Sequence, residues 1–496
     1  MIGNVSYRMV NFFKKSVFIL TMERRKFIKN TALFSGLAMV APKNIIAGNT
    51  ISKSFPVVRV SKEKRNFESK FIEDAIREFQ KNVKDEELSW LFNNCFPNTL
   101  DTTVTFNKKN GKPHTYVITG DIDAMWLRDS SAQVWPYMAF ADKDKDLKDL
   151  IAGVINTQTK YILKDPYANA FYNDPNKKGE WTSDDTDMLP GVHERKYEID
   201  SLCYPIRLAY NYWKTTGDTS PFDAEWEKAI KTTLKVFIDQ QEKNGENPYH
   251  FQRQTPKATD TRPLKGLGYP VKPVGLICSA FRPSDDATVF SFLVPSNFFA
   301  VVSLNQAAEM MEEISSDAQT ANELRALSAE VKQALEDYAI VNHPKYGNIY
   351  AFEVDGYVNH LLMDDANVPS LLSLPYLDAI DKDDWVYKNT RKFVLSLDNP
   401  FFFKGKAAEG IGGPHVGIDM IWPMAITMQG LTSDNPKEIK ECISMLKSTH
   451  AGTGFMHETF HKDDPNNFTR SWFAWANTLF GEFLWKTYKE QPELLV

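Results

Sequence analysis

Phe71-Ile-Glu-Asp-Ala-Ile-Arg-Glu-Phe-Gln-Lys-Asn-Val83 sets Phe71, Ile72, Ala75, Ile76, Phe79 and Val83 on one stripe of a 3.6-residue helix, with the charged residues on the other face. Leu324, Leu327, Val331, Leu335 and Tyr338 make a second such stripe. The same period occupies residues 130–141, 147–163, 201–216, 224–243, 295–313, 384–396, 418–430, 436–448 and 470–488, for about a dozen helices in all. Asp200-Ser201 and Thr216-Gly217 read as the start and stop of one of them. Strand-like runs are few: Thr102–Phe106, Thr115–Thr119, and a pair, Asn348–Val354 and Tyr357–Val358, around an Asp355-Gly356 turn. No fixed-period repeat marks a repeat array. The pattern predicts an all-α toroid of helix pairs, with a few short β-hairpins in its loops and its site at one mouth.

The chain has 496 residues, 43% hydrophobic and 25% charged, which excludes a disordered protein. Its 58 basic and 64 acidic residues leave a net charge of −6, so no global cationic face attracts a polyanion, and nucleic acid is not an expected partner. Eleven Trp, 33 Phe and 19 Tyr supply flat apolar rings of the kind that meet the C–H faces of sugars. Cys95, Cys203, Cys278 and Cys442 lie far apart with no CxxC pair and read as small buried side chains. No GxGxxG or GxxxxGK[ST] loop appears, so no nucleotide cofactor is indicated. Asp142-Lys-Asp-Lys-Asp-Leu147 opens like a calcium loop and fails as one: Leu147 stands where Gly is needed, and Gly153 where the bidentate Glu belongs.

The N-terminal residues are compositionally separate. Met22-Glu-Arg-Arg-Lys-Phe-Ile-Lys29 is a twin-arginine pattern, and the apolar run Thr31–Pro42 after it is shorter than the ~20 residues that span a bilayer. This resembles a bacterial twin-arginine export signal, with Met22 the expected true start. Residues 1–48 are then the signal, 49–496 a single domain, and the periplasm the expected location. No other stretch is apolar and long enough to cross a membrane.

Four segments concentrate Trp, Arg, Asp, Glu and His beyond what a helical surface requires: 120–136, 181–201, 281–288 and 454–460. Each is expected to lead into a helix, where loop side chains can share a cavity. In the first, Trp126, Arg128 and Asp129 precede an amphipathic helix with Asp129 or Ser130 as its cap. A cap alone explains one of these side chains, whereas an Asp/Arg pair beside a Trp face can grip adjacent sugar hydroxyls. In the third, Asp285 and Asp286 stand side by side after Ser284 at an expected helix start. Two adjacent like charges favour protonation of one, as a general acid requires. Glu458 lies in a glycine-containing aromatic loop, and carboxylates brought together from distant loops are the machinery of glycoside hydrolysis. His457-Glu-Thr-Phe-His461 matches the zinc-protease pattern HExxH, with Glu482 placed as a third ligand. Those histidines must share one helix face. Gly452 and Gly454 before them and Asp463-Asp464-Pro465-Asn466-Asn467 after them break such a helix, so no metal is expected.

At these residues the chain resembles glycoside hydrolase family 125, the exo-acting α-1,6-mannosidases. The resemblance rests on GDIDAMWLRDSSAQVWPY (120–137), EIDSLCYPIRLA (198–209), FRPSDDAT (281–288), GGPH (412–415), and GFMHETF followed by TRSWFAWANTLF (469–480). These blocks occur in order over nearly the whole chain after the signal. The resemblance implies an (α/α)6 barrel that removes non-reducing terminal α-1,6-linked mannose from mannosides or N-glycans, with inversion and no catalytic metal or cofactor. It implies a general acid at Asp285 or Asp286, with Asp285 preferred, and a general base at Glu458, with Glu409 as a secondary candidate. It also implies that Arg128, Asp129, Asp200, Arg282 and His415 hold the mannose, with Trp126 as a wall. Two other readings are an inverting α-glucosidase or trehalase-like hydrolase of the same architecture and a non-catalytic periplasmic sugar-binding protein.

Overall fold

The computed structural model describes residues 55–245 and 247–495, so the stretch 1–48 read as an export signal lies outside the described residues. In chain order the α-helices are α1 (Lys70–Asn82), α2 (Glu86–Cys95), α3 (Asn98–Thr102), α4 (Leu127–Val134), α5 (Lys145–Lys164), α6 (Ile199–Thr216) and α7 (Ala224–Asp239). They continue with α8 (Val294–Glu313), α9 (Ala318–Tyr338), α10 (Trp385–Val394), α11 (Pro423–Leu431), α12 (Pro436–Ser448) and α13 (Ala474–Glu490). Together they form an (α/α)6 barrel, as expected for the fold class. Around the inner ring, α13 packs on α4, α4 on α6, α6 on α8 and α11 on α13. Residues 364–377, irregular in backbone, also join the inner layer: the Tyr204 hydroxyl of α6 donates to the Val368 carbonyl (3.1 Å), and Tyr376 donates to Glu482 of α13 (2.9 Å).

Burial separates the two rings. From Ile199 to Ala209, α6 is buried on every face, as is α13 from Ala474 to Gly481, because each lies between the barrel interior and an outer layer. Outer helix α1 buries only Ile72, Ala75, Ile76 and Phe79, the stripe legible in the sequence. The four cysteines are buried and free.

Capping divides the rings as well. Outer helices α1, α2, α5, α7, α9, α10 and α12 begin with Ser69, Asp85, Asp144, Asp223, Asp317, Asp384 and Asn435, whose side chains accept first-turn N–H groups. Inner helices α4, α6, α8, α11 and α13 begin at Trp126, Glu198, Leu293, Trp422 and Phe473 with no side-chain cap. Asp129 and Ser130 therefore lie inside the first turn of α4 and do not cap it. Asp200 likewise lies inside α6, whose left-handed C-terminal residue is Gly217 (φ 66°), as the sequence indicates.

Small antiparallel sheets tie the loops together over the inner helix N-termini. Met125–Trp126 pairs with Ala170–Phe171, which pairs with Val192–Glu194. Phe292–Leu293 pairs with Glu353–Val354, and the latter with His360–Leu361 across the Asp355-Gly356 turn. Thr459–His461 bridges Met420–Ile421 and Asp464–Thr469. Residues 418–421, expected as helix, are thus a turn and a strand. Among the described residues no helix is long and apolar enough to cross a membrane.

Candidate active site

The segments before α4, α8, α11 and α13 converge on a cavity of about 190 Å3, lined by Trp126, Arg128, Asp129, Ser284, Asp285, Asn367, His415, Trp422, Glu458, Arg470 and Phe473 among others. That is small beside the ~300–1,000 Å3 of pockets for drug-sized ligands and suits one sugar ring.

Arg128 organises one side. Its guanidinium reaches Glu198 Oε2 (2.5 Å), Asp200 Oδ2 (3.0 Å), Asp285 Oδ1 (3.3 Å) and Asp129 Oδ2 (3.5 Å). One cation faces four carboxyls, and burial decides which stay ionised. Burial raises Glu198 well above the usual carboxylate range despite Arg128, aided by the charges of Asp200 and Asp285. It also lifts Asp129 to about 6, against Arg128 and with help from Asp285. Asp285 goes the other way: its burial is outweighed by Arg128, Lys196 and His415, which hold it below its ordinary value. Its backbone is left-handed (φ 67°) and is fixed by Lys196 Nζ donating to its carbonyl (2.9 Å). Lys196 is anchored in turn by Asp260 (2.6 Å) and Glu194 (3.3 Å).

Across the cavity lining, the ring of His415 lies 3.3 Å from Asp286 Oδ1, and Lys257 Nζ donates to the His415 carbonyl (2.8 Å) while pairing with the same Asp286 oxygen (3.2 Å). Burial disfavours the charged His415, but the hydrogen bond and charge of Asp286 outweigh it and raise its pKa. Glu458 sits one residue before the Thr459–His461 strand, with Arg470 Nη1 3.5 Å from its carboxylate. Arg470 also pairs with Asp121 and lies over the Phe473 ring (4.7 Å). Trp126, Trp422 and Phe473 supply aromatic walls, and Trp126 is backed edge-on by His193 (5.0 Å).

Of the residues singled out in the sequence, Trp126, Arg128, Asp129, Asp285, His415 and Glu458 come together here. Three others turn away. Asp286 is fully buried against His415 and Lys257, and no helix begins at the 285–286 pair, which forms a turn closed by a Phe281–Ala287 bridge. Asp200 is wholly buried behind Arg128. Arg282 is held by Glu353 (2.6 Å), whose other oxygen accepts the Val289 and Phe290 N–H groups, so it cannot reach a sugar. Glu409 pairs with Lys404 on a separate hairpin, outside the cavity lining. The HExxH match is a loop and a strand, with His457 stacked on Phe468 (3.9 Å) and Glu482 accepting from Trp135 and Tyr376, so its residues share no helix face.

Glu198, Lys196, Lys257, Asn367, Trp422 and Arg470 escaped the sequence reading. A signal existed for Glu198, which stands two residues before Asp200 at the mouth of a helix that is buried on every face as far as Ala209. Lys257 and Asn367 lie in loops with no helical period to mark them.

The family profile described as metal-independent alpha-mannosidase (GH125) matches residues 85–485. The chain belongs to this family. It is a glycoside hydrolase, an α-mannosidase, and the α-glucosidase and sugar-binding alternatives give way to that. The Meiotically up-regulated gene 157 protein of Schizosaccharomyces pombe is 42% identical over 460 residues, which are 89% of this chain and 90% of the yeast protein. A solved Streptococcus pneumoniae structure, from a family of metal-independent alpha mannosidases and in a non-productive complex with alpha-1,6-mannobiose, is 43% identical with a TM-score of 0.82. It is matched over 85% of this chain and 99% of its own.

Proposed function

We propose that the mannosidase is exo-acting and removes one non-reducing terminal α-1,6-linked mannose at a time, with inversion, in mannoside or N-glycan breakdown. The observation that carries this is the meeting of Asp285 and Glu458, 173 residues apart in sequence, at one cavity of single-sugar size. The α-1,6-mannobiose held by the Streptococcus pneumoniae relative supports the linkage. Asp285 protonates the departing glycosidic oxygen, and Glu458 takes a proton from a water that attacks the anomeric carbon from the opposite face. Room for that water requires carboxylates ~6.5–9.5 Å apart. Arg128, Asp129 and His415 hold the hydroxyls, and Trp126 stacks on the ring. Arg470, 3.5 Å from Glu458, holds that carboxylate in place.

Proton NMR of α-1,6-mannobiose hydrolysis tests the reading. β-Mannose is expected as the first anomer, undiminished in EDTA, with both signals abolished in Asp285→Asn and Glu458→Gln. Early α-mannose overturns the inverting assignment.

We also propose that residues 22–48 export the chain to the periplasm, on the strength of Arg24-Arg25 before the apolar run. Replacing both arginines by lysine should strand the protein in the cytoplasmic fraction. Undiminished periplasmic recovery removes the twin-arginine reading.

A further inference from the structure

A general acid must hold a proton at working pH, yet Asp285 faces Arg128, Lys196 and His415, all of which favour its carboxylate. The proton has to reside close by. Glu198 is 1% exposed, behind the cavity at the entry to α6, and two of its neighbours crowd a single oxygen: Arg128 Nη1 at 2.5 Å and the Ser201 hydroxyl at 2.7 Å both donate to Oε2. Its other oxygen, Oε1, is buried with no hydrogen-bond partner. An ionised carboxylate with a bare buried oxygen pays a desolvation penalty that a carboxylic acid avoids, because the protonated oxygen becomes a donor. An acceptor is near, since one guanidinium joins the two side chains: Arg128 Nη1 donates to Glu198 and Nη2 to Asp285 Oδ1 (3.3 Å). The other charged groups around Glu198 are Arg128 from α4 and Asp200 from its own first turn. Arg128 already serves Asp129, Asp200 and Asp285, so it cannot neutralise Glu198 alone.

We propose that Glu198 is the proton-holding partner of Asp285, keeping at rest the proton that Asp285 delivers to the leaving oxygen. The proposal rests on Asp285 being the acid. Glu198 Oε1 first passes its proton to the Asp285 carboxylate; then, as the glycosidic C–O bond breaks and the water oxygen bonds to the anomeric carbon, Asp285 gives that proton to the leaving oxygen. The pair loses one proton, Glu458 gains one from the attacking water, and exchange with solvent restores both. Glu198 touches no substrate and acts as a positioning residue through Asp285.

The test compares α-1,6-mannobiose, whose sugar leaving group needs protonation, with α-mannosyl fluoride, whose fluoride does not. In Glu198→Gln the amide can donate a hydrogen bond but carries no transferable acid proton. Its kcat on mannobiose should fall about 100-fold, the scale of general acid assistance. Fluoride hydrolysis should be lost far less, and the alkaline limb of the kcat/KM profile on mannobiose should move to lower pH. Ser201→Ala removes a donor that favours ionised Glu198 and should move that limb to higher pH, which gives the proposal a second readout if Glu198→Gln does not fold. Equal losses on both substrates with an unmoved limb would reduce Glu198 to a structural role and overturn the proposal, as would an unmoved limb in Ser201→Ala. Asp285→Asn separates the two readings: it should spare the fluoride and lose mannobiose. If it loses both equally, the acid assignment itself falls.

Discussion

Asp129 carries its carboxyl in the first turn of α4, 5% exposed, facing the cavity with a pKa raised to about 6 by burial and by the charge of Asp285. The unfolded chain gives up the same proton near pH 4. Between those values the folded state binds more protons, so stability falls as pH rises from about 4 to 6 and stays lower above that, by about 3 kcal/mol for two pKa units. Asp129→Asn keeps the shape and removes the ionisation. Its melting temperature should exceed that of the parent at pH 8, the gain should vanish at pH 4, and activity on α-mannosides should be largely lost because a sugar-facing carboxylate has gone. A melting temperature unchanged at pH 8 would falsify the buried-charge account. At this scale the sequence showed which residue types gather and not where they point. Asp285 and Asp286 are indistinguishable as letters, and only the left-handed turn that sends one into the cavity and the other against His415 tells them apart.

Helices were legible wherever one face is apolar and the other wet, and α1, α5, α9 and α12 fall within a few residues of the periodic stretches, apart from the early start of α9 at Ala318. Inner helices were legible for another reason: long apolar runs with small residues, such as Ala474–Gly481, pack on every side. The lesser elements failed for a physical cause. Two-residue strands such as Phe292–Leu293 carry too few positions for alternation to register, and they exist because segments some 60 residues apart lie side by side over the barrel mouth. Residues 364–377 make only isolated turn hydrogen bonds, such as Leu377 N–H to the Ser373 carbonyl (3.2 Å), and Asp364 accepts the Leu371 and Leu372 N–H groups. Helix α2 was missed although Leu88, Leu91, Phe92 and Cys95 form a stripe, because ten residues hold few repeats of the period. The contrast in caps follows from where the helix ends point. Outer helices start near solvent and need their own acceptors, whereas the first-turn N–H groups of the inner ring open toward the cavity mouth, where a caplike side chain would occupy the space of the substrate.

At the scale of the whole molecule, the barrel is closed near the N-terminal end of the described chain by a short extended segment. Phe55 stacks on Trp90 (4.9 Å), Trp90 donates its indole N–H to the Pro56 carbonyl (2.8 Å), and Val58 and Trp90 close on Gly454 in the loop that carries Glu458. Arg59, its side chain 7% exposed, pairs with Asp101 (2.6 Å) and Glu73 (2.5 Å). Removing one partner of such a buried pair strands the other charge, at about 3 kcal/mol or more. Arg65 lies 3.6 Å from Asp101 and recovers part of that. A chain beginning at residue 49 keeps every one of these contacts and should match the full chain in melting temperature and in kcat/KM on α-1,6-mannobiose. A chain beginning at residue 61 loses Phe55, Val58 and Arg59 together. It should melt several degrees lower and should also lose activity, because the Gly454 loop loses the packing that steadies the base beyond it. Thermal melts and turnover of the two truncations side by side decide the matter: equal behaviour would mean that the segment 55–60 neither closes the barrel nor supports Glu458.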